Sequence, residues 1–249
     1  MENKKAEIDI ILPNYNSFEF IDKTIQSVLN QNLTNWKLII VDDFSNIETR
    51  KKIKKYEKFK KIKIYWLKKN RGAAYCRNLA MSKSKSEYLA FIDSDDIWKK
   101  NKLKLQLKYM KKNNYDFTYT YYKTFGTKSR KIIPPTKFYF DSFTKNTSIA
   151  TSTMMIKRKV VKDIKFTNTA ICEDYHFKCE ILKKIKLAHC LKKYLTKYRI
   201  RKNSLQSNKL KNLFWIWIIN YKYNKLTLLE NLNSLLNISF NSIKKYGFK

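Results

Sequence analysis

Seven of the 20 acidic residues in this 249-residue chain fall in three tight groups: Asp42 and Asp43; Asp93, Asp95 and Asp96; Glu173 and Asp174. Acids are scarce against 54 lysines and arginines, and like charges set side by side rise in energy unless a cation or hydrogen-bond donors compensate them. Asp93-Ser94-Asp95-Asp96 is the densest group. A hard divalent cation, Mn2+ or Mg2+, held on one or two of these carboxylates keeps positions open for phosphate oxygens, which is how a protein holds a nucleoside diphosphate through its metal. Taken alone, the same aspartates also suit the cap of a helix that begins near Trp98.

The elements that position these groups follow from hydrophobic patterning. Residues 8–12, 37–41, 62–66 and 88–92 are short apolar or β-branched runs that read as buried parallel strands. Helical stretches at 18–30, 47–59 and Ala73–Ser82 alternate with them, which implies an α/β sheet with helices on both faces. In such a sheet ligands bind at the carboxyl ends of the strands. There the chain has Pro13-Asn14-Tyr15-Asn16, Asp42-Asp43, Asn70-Arg71-Gly72 and the DSDD turn. Beyond residue 98 the rhythm changes: a basic helix at 99–112, strands at 115–122 and 151–156, a helix at 173–184, a strand at 188–199 and a helical tail from about Lys209.

In order and spacing, DIILPNYNSFEFIDKTIQSVLNQ, LIIVDDFS, NRGAAYCRNLA, EYLAFIDSDDIW and CEDYHF resemble the family 2 glycosyltransferases, over about residues 7–205. The chain looks most like bacterial members that build cell-surface polysaccharide of the teichuronic-acid or lipopolysaccharide type. The resemblance implies a GT-A (Rossmann-like) fold: a mixed, mainly parallel sheet flanked by helices, spanning 1–210. Residues 1–98 would form its nucleotide-binding half and 99–210 its acceptor-binding half, with 211–249 a basic aromatic helical tail.

The resemblance also implies an activity: inverting, metal-dependent transfer of a sugar from a nucleotide-sugar, by default a UDP-sugar, to a hydroxyl of a surface glycan or lipid-linked oligosaccharide. Pro13, Tyr15 and Asn16 match the turn beneath the nucleotide, where an aromatic packs on a base and an amide reads its edge. Asp42 matches a carboxylate that bonds the base, and Arg71 or Arg77 would reach the base or the phosphates with a planar fork. Asp95 is assigned to the ribose and Asp96 to the metal, with Asp93 either a second ligand or an organiser of the loop. Asp174 matches the base that takes the proton of the attacking hydroxyl, since a neutral hydroxyl is a poor nucleophile. Glu173 lines the acceptor pocket or orients its partner, and His176 is either an acceptor contact or a packing residue of the helix. Arg199, Arg201 and Ser204, in YRIRKNSLQSNK, resemble a segment that closes over the diphosphate. The chain lacks the QxxRW segment of processive synthases, which points to single addition.

Composition bounds the alternatives. The formal net charge of +34 suggests polyanion binding, yet only seven of the basic residues are arginine and the lysines are scattered. No zinc finger, RNP-like motif or zipper supports specific nucleic-acid recognition. A nucleotidyltransferase would carry a glycine-rich loop where this chain has Leu12-Pro13-Asn14-Tyr15-Asn16, and a non-catalytic relative is disfavoured by the presence of both Asp96 and Asp174. Four cysteines without a CxxC pair point to a reducing compartment, the cytoplasm, and the N-terminal segment lacks the apolar region of a signal peptide. The longest apolar stretch, LFWIWII at 213–219, falls short of the roughly 20 residues of a spanning helix. The tail either packs on the catalytic domain or lies on an anionic membrane that presents a lipid-linked acceptor.

Overall fold

The computed structural model describes residues 6–201 and 208–246, the last two by backbone only. Its first half alternates strand and helix: β1 (Ile8–Asn14), α1 (Ile21–Leu29), β2 (Trp36–Asp42), α2 (Ile47–Lys54), β3 (Ile62–Trp66), α3 (Ala73–Ser82) and β4 (Tyr88–Phe91). Then follow β5 (Ile97–Trp98), α4 (Lys102–Asn113), β6 (Phe117–Gly126), β7 (Lys131–Ile132), β8 (Lys137–Phe138), α5 (Phe140–Lys145), β9 (Met155–Lys157), α6 (Glu173–Ile185) and β10 (Ala188–Ile200). The chain closes with α7 (Lys209–Ile218), a π-helical turn (Ile219–Tyr223) and α8 (Leu228–Tyr246).

One sheet runs in the order β3-β2-β1-β4-β9-β6-β10-β5, with β7 added beside β6 and β8 beside β10. The β3-β2-β1-β4 segment is entirely parallel, whereas β9 pairs antiparallel with both β4 and β6. Parallel central strands are covered on both faces, so they read as continuous apolar runs. Ile8, Ile10 and Leu12 of β1 face one core, with α1 and α4, while Ile11 faces the other, with α3 and α6.

Two stretches depart from the expected pattern. The strand expected over 151–156 is instead a 3₁₀ turn at Thr151–Thr153 followed by the short β9. The Thr153 hydroxyl donates to the Ala150 carbonyl at 2.6 Å, a local bond of the kind that competes with strand pairing. The helix expected over 47–59 ends at Lys54, and Tyr56 and Phe59 beyond it still pack on the core from the turns that follow.

β10 carries register shifts against β6 at 191–196, and these bulges aim its end at the DSDD turn. At that end Gly126 has φ +95°, and a Cβ there would lie 2.5 Å from the Ile200 carbonyl oxygen, so only glycine lets the two strands finish together. The C-terminal helices pack on α5 and α6. Tyr175 donates to the Asn220 side chain at 2.6 Å, Ser234 donates to the Thr144 carbonyl at 2.6 Å, and Ile216, Ile219 and Ile238 join the core. Among the described residues no helix is long and apolar enough to cross a membrane.

Candidate active site

The ends of β1, β2, β3 and β4 bring the polar motifs to one edge of the sheet. Asn14, the last residue of β1, donates from Nδ2 to Asp42 Oδ1 at 2.8 Å and to Ser45 Oγ at 3.1 Å. Asp42 is fully buried, and its Oδ2 accepts from the Ser45 amide at 3.1 Å and lies 3.3 Å from Arg50 Nε. The Arg50 guanidinium sits 5.1 Å from the centre of Trp66 and 5.9 Å from that of Phe44. Asn16 takes φ 45°, a left-handed conformation asparagine tolerates, and its side chain accepts from the Asn46 amide. Tyr15 stands half exposed beside this floor, and Pro13 is partly buried in β1.

Asp43 turns the other way. Its two oxygens accept from the amides of Arg71 at 2.6 Å and Gly72 at 2.8 Å, which fixes the loop entering α3. The Arg71 side chain remains exposed, stacked 4.2 Å from the centre of Tyr75.

The DSDD turn is a crowded anionic site. Asp96 is fully buried; Oδ1 accepts from the Arg199 amide at 2.7 Å, while Oδ2 is buried with no hydrogen-bond partner. Burial first, then the charges of Asp95 and Asp93, push its carboxyl well above the usual range, the Ser152 hydroxyl and the Arg199 amide acting in the opposite sense. Burial also raises Asp95, partly offset by Arg201, whose Nε lies 3.0 Å from Asp95 Oδ2. Arg199 donates to the Asp95 carbonyl at 3.0 Å with its guanidinium between Phe20 and Phe125, 4.4 and 4.3 Å from the ring centres.

The second anionic site lies at the start of α6. Cys172 adopts φ 64°, a left-handed conformation rare for cysteine, and presents Glu173 and Asp174 in the first turn. Asp174 Oδ2 receives the Lys178 ammonium at 2.6 Å and the Thr151 hydroxyl at 2.9 Å, and Lys178 is 3% exposed. Burial would raise this carboxyl, yet the charge and hydrogen bond of Lys178, the charge of Arg77 and the Thr151 hydroxyl outweigh it and bring its pKa to about 2. Asp174 Oδ1 takes no hydrogen bond among the described residues.

Two links couple these sites. Arg77, buried on α3, donates to Asp93 Oδ1 at 2.8 Å and to Glu173 Oε1 at 2.7 Å, with its Nε left unpartnered. The 3₁₀ turn is the other: Thr151 bonds Asp174, while the next residue, Ser152, accepts from the Asp93 amide at 2.9 Å and from Trp98 Nε1 at 2.8 Å.

Residues 9–172 match the profile described as Glycosyl transferase family 2. The chain belongs to that family. This glycosyltransferase is 35% identical over 250 residues to TuaG of Bacillus subtilis (strain 168), named for teichuronic acid biosynthesis, a match covering 98% of this chain and 99% of that one. It is 33% identical over 246 residues to WfgD of Escherichia coli, named as a UDP-Glc:alpha-D-GlcNAc-diphosphoundecaprenol beta-1,3-glucosyltransferase, with 97% and 95% covered. Among solved structures, Staphylococcus aureus TarS 1–349 in complex with UDP-GlcNAc superposes with TM-score 0.75 at 19% identity, covering 96% of this chain and 73% of that one. PcManGT of Pyrobaculum calidifontis, a mannosyltransferase in complex with GDP-Man and Mn2+, gives 0.72 at 12%, with 96% and 74% covered. The fold is GT-A.

Of the residues singled out in the glycosyltransferase sequence, Tyr15, Asn16, Asp42 and Arg71 gather at the ends of β1 to β3, and Asp93, Asp95, Asp96, Arg199 and Arg201 at the DSDD turn. Two turn away from the open edge of the sheet, His176 as the packing residue that was one of its two expected readings. Arg77 does not turn its fork to an open nucleotide site, because two acids already occupy it below the surface. His176 is buried against Thr167, 2.5 Å from Nδ1, and against Tyr223 rather than facing the acids, and burial lowers its pKa. Ser204 lies outside the described residues. Sequence reasoning missed Arg50, Thr151, Ser152 and Lys178. Only Lys178 left a signal, its i+4 spacing from Asp174 on a helix.

Proposed function

We propose that this glycosyltransferase moves a sugar from a UDP-sugar to a hydroxyl of a surface glycan or lipid-linked oligosaccharide, with inversion at the anomeric carbon. The observation that carries the reading is the coupling of a cation-seeking carboxylate, Asp96, through Asp93, Arg77 and Glu173 to a carboxylate held ionised, Asp174. The full-length similarity to the E. coli glucosyltransferase, with UDP-Glc and a diphosphoundecaprenol-linked acceptor in its name, supports the choice of donor and acceptor class.

Among the described residues no three acidic, histidine or cysteine side chains converge as a preformed metal cage, so the support for a divalent cation is the state of Asp96. Asp96 Oδ2 is buried without a donor, and three carboxylates crowd one turn, so a cation there relieves both the desolvation and the mutual repulsion. Asp96, with Asp93, would hold Mn2+ or Mg2+, which when bound supplies Lewis-acid neutralisation of the departing diphosphate. Asp95 takes the ribose once Arg201 is drawn from it, and Arg201 and Arg199 then face the phosphates with forked donors. Tyr15 offers a stacking face to the base, while Asp42, fully buried, acts through the partly exposed Arg50 that it holds beside Trp66, rather than by direct contact with the base. Asn16, with Pro13 before it, shapes the turn beneath, and exposed Arg71 covers the base from the α3 side.

Asp174 accepts the proton of the acceptor hydroxyl through Oδ1, because Oδ2 is committed to Lys178 and Thr151. One base acting on the face opposite the leaving group gives direct displacement, hence inversion. Glu173, fixed by Arg77, holds that first helical turn in place.

The test is transfer from a panel of UDP-sugars to a synthetic lipid-diphosphate-linked N-acetylglucosamine, with product anomericity read by proton NMR. Transfer with inverted configuration that EDTA abolishes and Mn2+ restores is expected. Retained configuration, or transfer indifferent to EDTA, would refute the mechanism.

A further inference from the structure

α8 rests on the domain by a mixed face, on which Ile238 and the half-buried Leu235 pack in the core beside two polar residues. Asn231 and Ser234 are fully buried, Asn231 donates to the Trp217 carbonyl at 3.1 Å, and Ser234 donates to Thr144. Four other apolar residues face outward: Leu229 is 80% exposed, Leu232 50%, Leu236 71% and Phe240 68%. These four recur at intervals of three and four residues, so they form one stripe along the helix. α7, which lies against α8, adds Leu210 at 80% and Phe214 at 60%, and Tyr221 of the π-helical turn adds 57%. Seven large apolar side chains standing in water over two adjacent helices are a patch rather than scattered singles, and a patch of this kind marks a surface that something covers.

Charge decides what covers it. Residues 208–246 carry six lysines, Lys209, Lys211, Lys222, Lys225, Lys244 and Lys245, against one acid, Glu230. A second copy of this chain would bring the same excess of lysine and the same net charge of +34 to the interface, which opposes self-association. A surface that is apolar inside and anionic at its rim satisfies both features. We infer that the outward faces of α7 and α8 lie in the interface of an anionic lipid bilayer, with the leucines and Phe240 among the acyl chains and the lysines at the headgroups. The helices lie on the membrane and do not cross it. This inference does not depend on the donor, the metal or the catalytic base.

Flotation of the full chain with vesicles tests it. Binding to equimolar phosphatidylcholine and phosphatidylglycerol is expected, weaker by about tenfold or more on phosphatidylcholine alone. Replacing Leu229, Leu232, Leu236 and Phe240 together by Asn should weaken binding about tenfold or more. Those side chains are solvent-facing, so Tm and nucleotide binding should stay as in the parent. A second variant, Lys209→Gln with Lys211→Gln, Lys222→Gln and Lys225→Gln, should lose the preference for anionic vesicles. Sedimentation equilibrium of the free chain should show a monomer. No binding to the anionic vesicles, binding indifferent to the Asn substitutions, or a dimer that those substitutions dissociate would each overturn the inference.

Discussion

At the end of β4 the Asp96 carboxylate is buried among neighbours of its own sign with one oxygen unpartnered, whereas at the start of α6 Asp174 has a buried ammonium and a hydroxyl on one oxygen. The same side chain is thereby driven in opposite directions. Asp96 rises well above the ordinary carboxyl range, and Asp174 falls to about 2. The difference teaches how one sheet edge can run two tasks. On the proposed reading the first site lacks its countercharge and would be completed by a cation, while the second contains its countercharge, which favours the ionised carboxylate. Arg77 belongs to both, since each of its terminal nitrogens serves one site.

The most severe way to break the comparison is at the second site. Asp174→Asn should lower kcat about 10³-fold, the scale of a lost general base, while donor binding measured by calorimetry stays near that of the parent. Arg77→Met should act on both sites at once. It strands Asp93 and Glu173 without their partner, so thermal unfolding should report a loss of about 3 kcal/mol, with donor affinity and kcat falling together.

Lys178→Met sharpens the contrast more gently. Without the cation, burial dominates and the Asp174 carboxyl rises, so the acid limb of kcat/KM moves toward neutral pH. Activity near pH 5 to 6 relative to pH 8 should fall by about tenfold in the variant and far less in the parent. An unchanged profile would mean that the ion pair does not set the ionisation of the base. The sign for stability agrees: a depressed carboxyl contributes stability above the ordinary carboxyl pKa, and loses it only as the pH falls toward 2.

The parallel half of the fold was readable because β1, β2 and β4 are contiguous apolar runs buried on both faces, each followed by its polar motif; β3, expected as buried too, is the edge strand, with Lys63 exposed and only Ile62 buried. What distinguishes the two acid sites was not readable. Nothing local to Arg77 tells that its fork closes on acids 16 and 96 residues away. The Thr151–Thr153 turn reads as a strand because threonine favours strands until its hydroxyl finds a nearer carbonyl. In α8 the period of Leu229, Leu232, Leu236 and Phe240 is plain in the sequence, but a periodicity says that a helix has two faces and not which one is turned inward. The tight pairing of Lys178 with Asp174 is the exception, visible as an i+4 acid-base pair on an expected helix.

The division of labour between the two aspartates is tested most directly by thermal stabilisation with UDP and Mn2+, measured side by side on the parent, Asp96→Ala and Asp174→Asn. The account predicts a metal-dependent rise in Tm for the parent and for Asp174→Asn, and none for Asp96→Ala. An equal rise in Asp96→Ala, or its loss in Asp174→Asn alone, would contradict it.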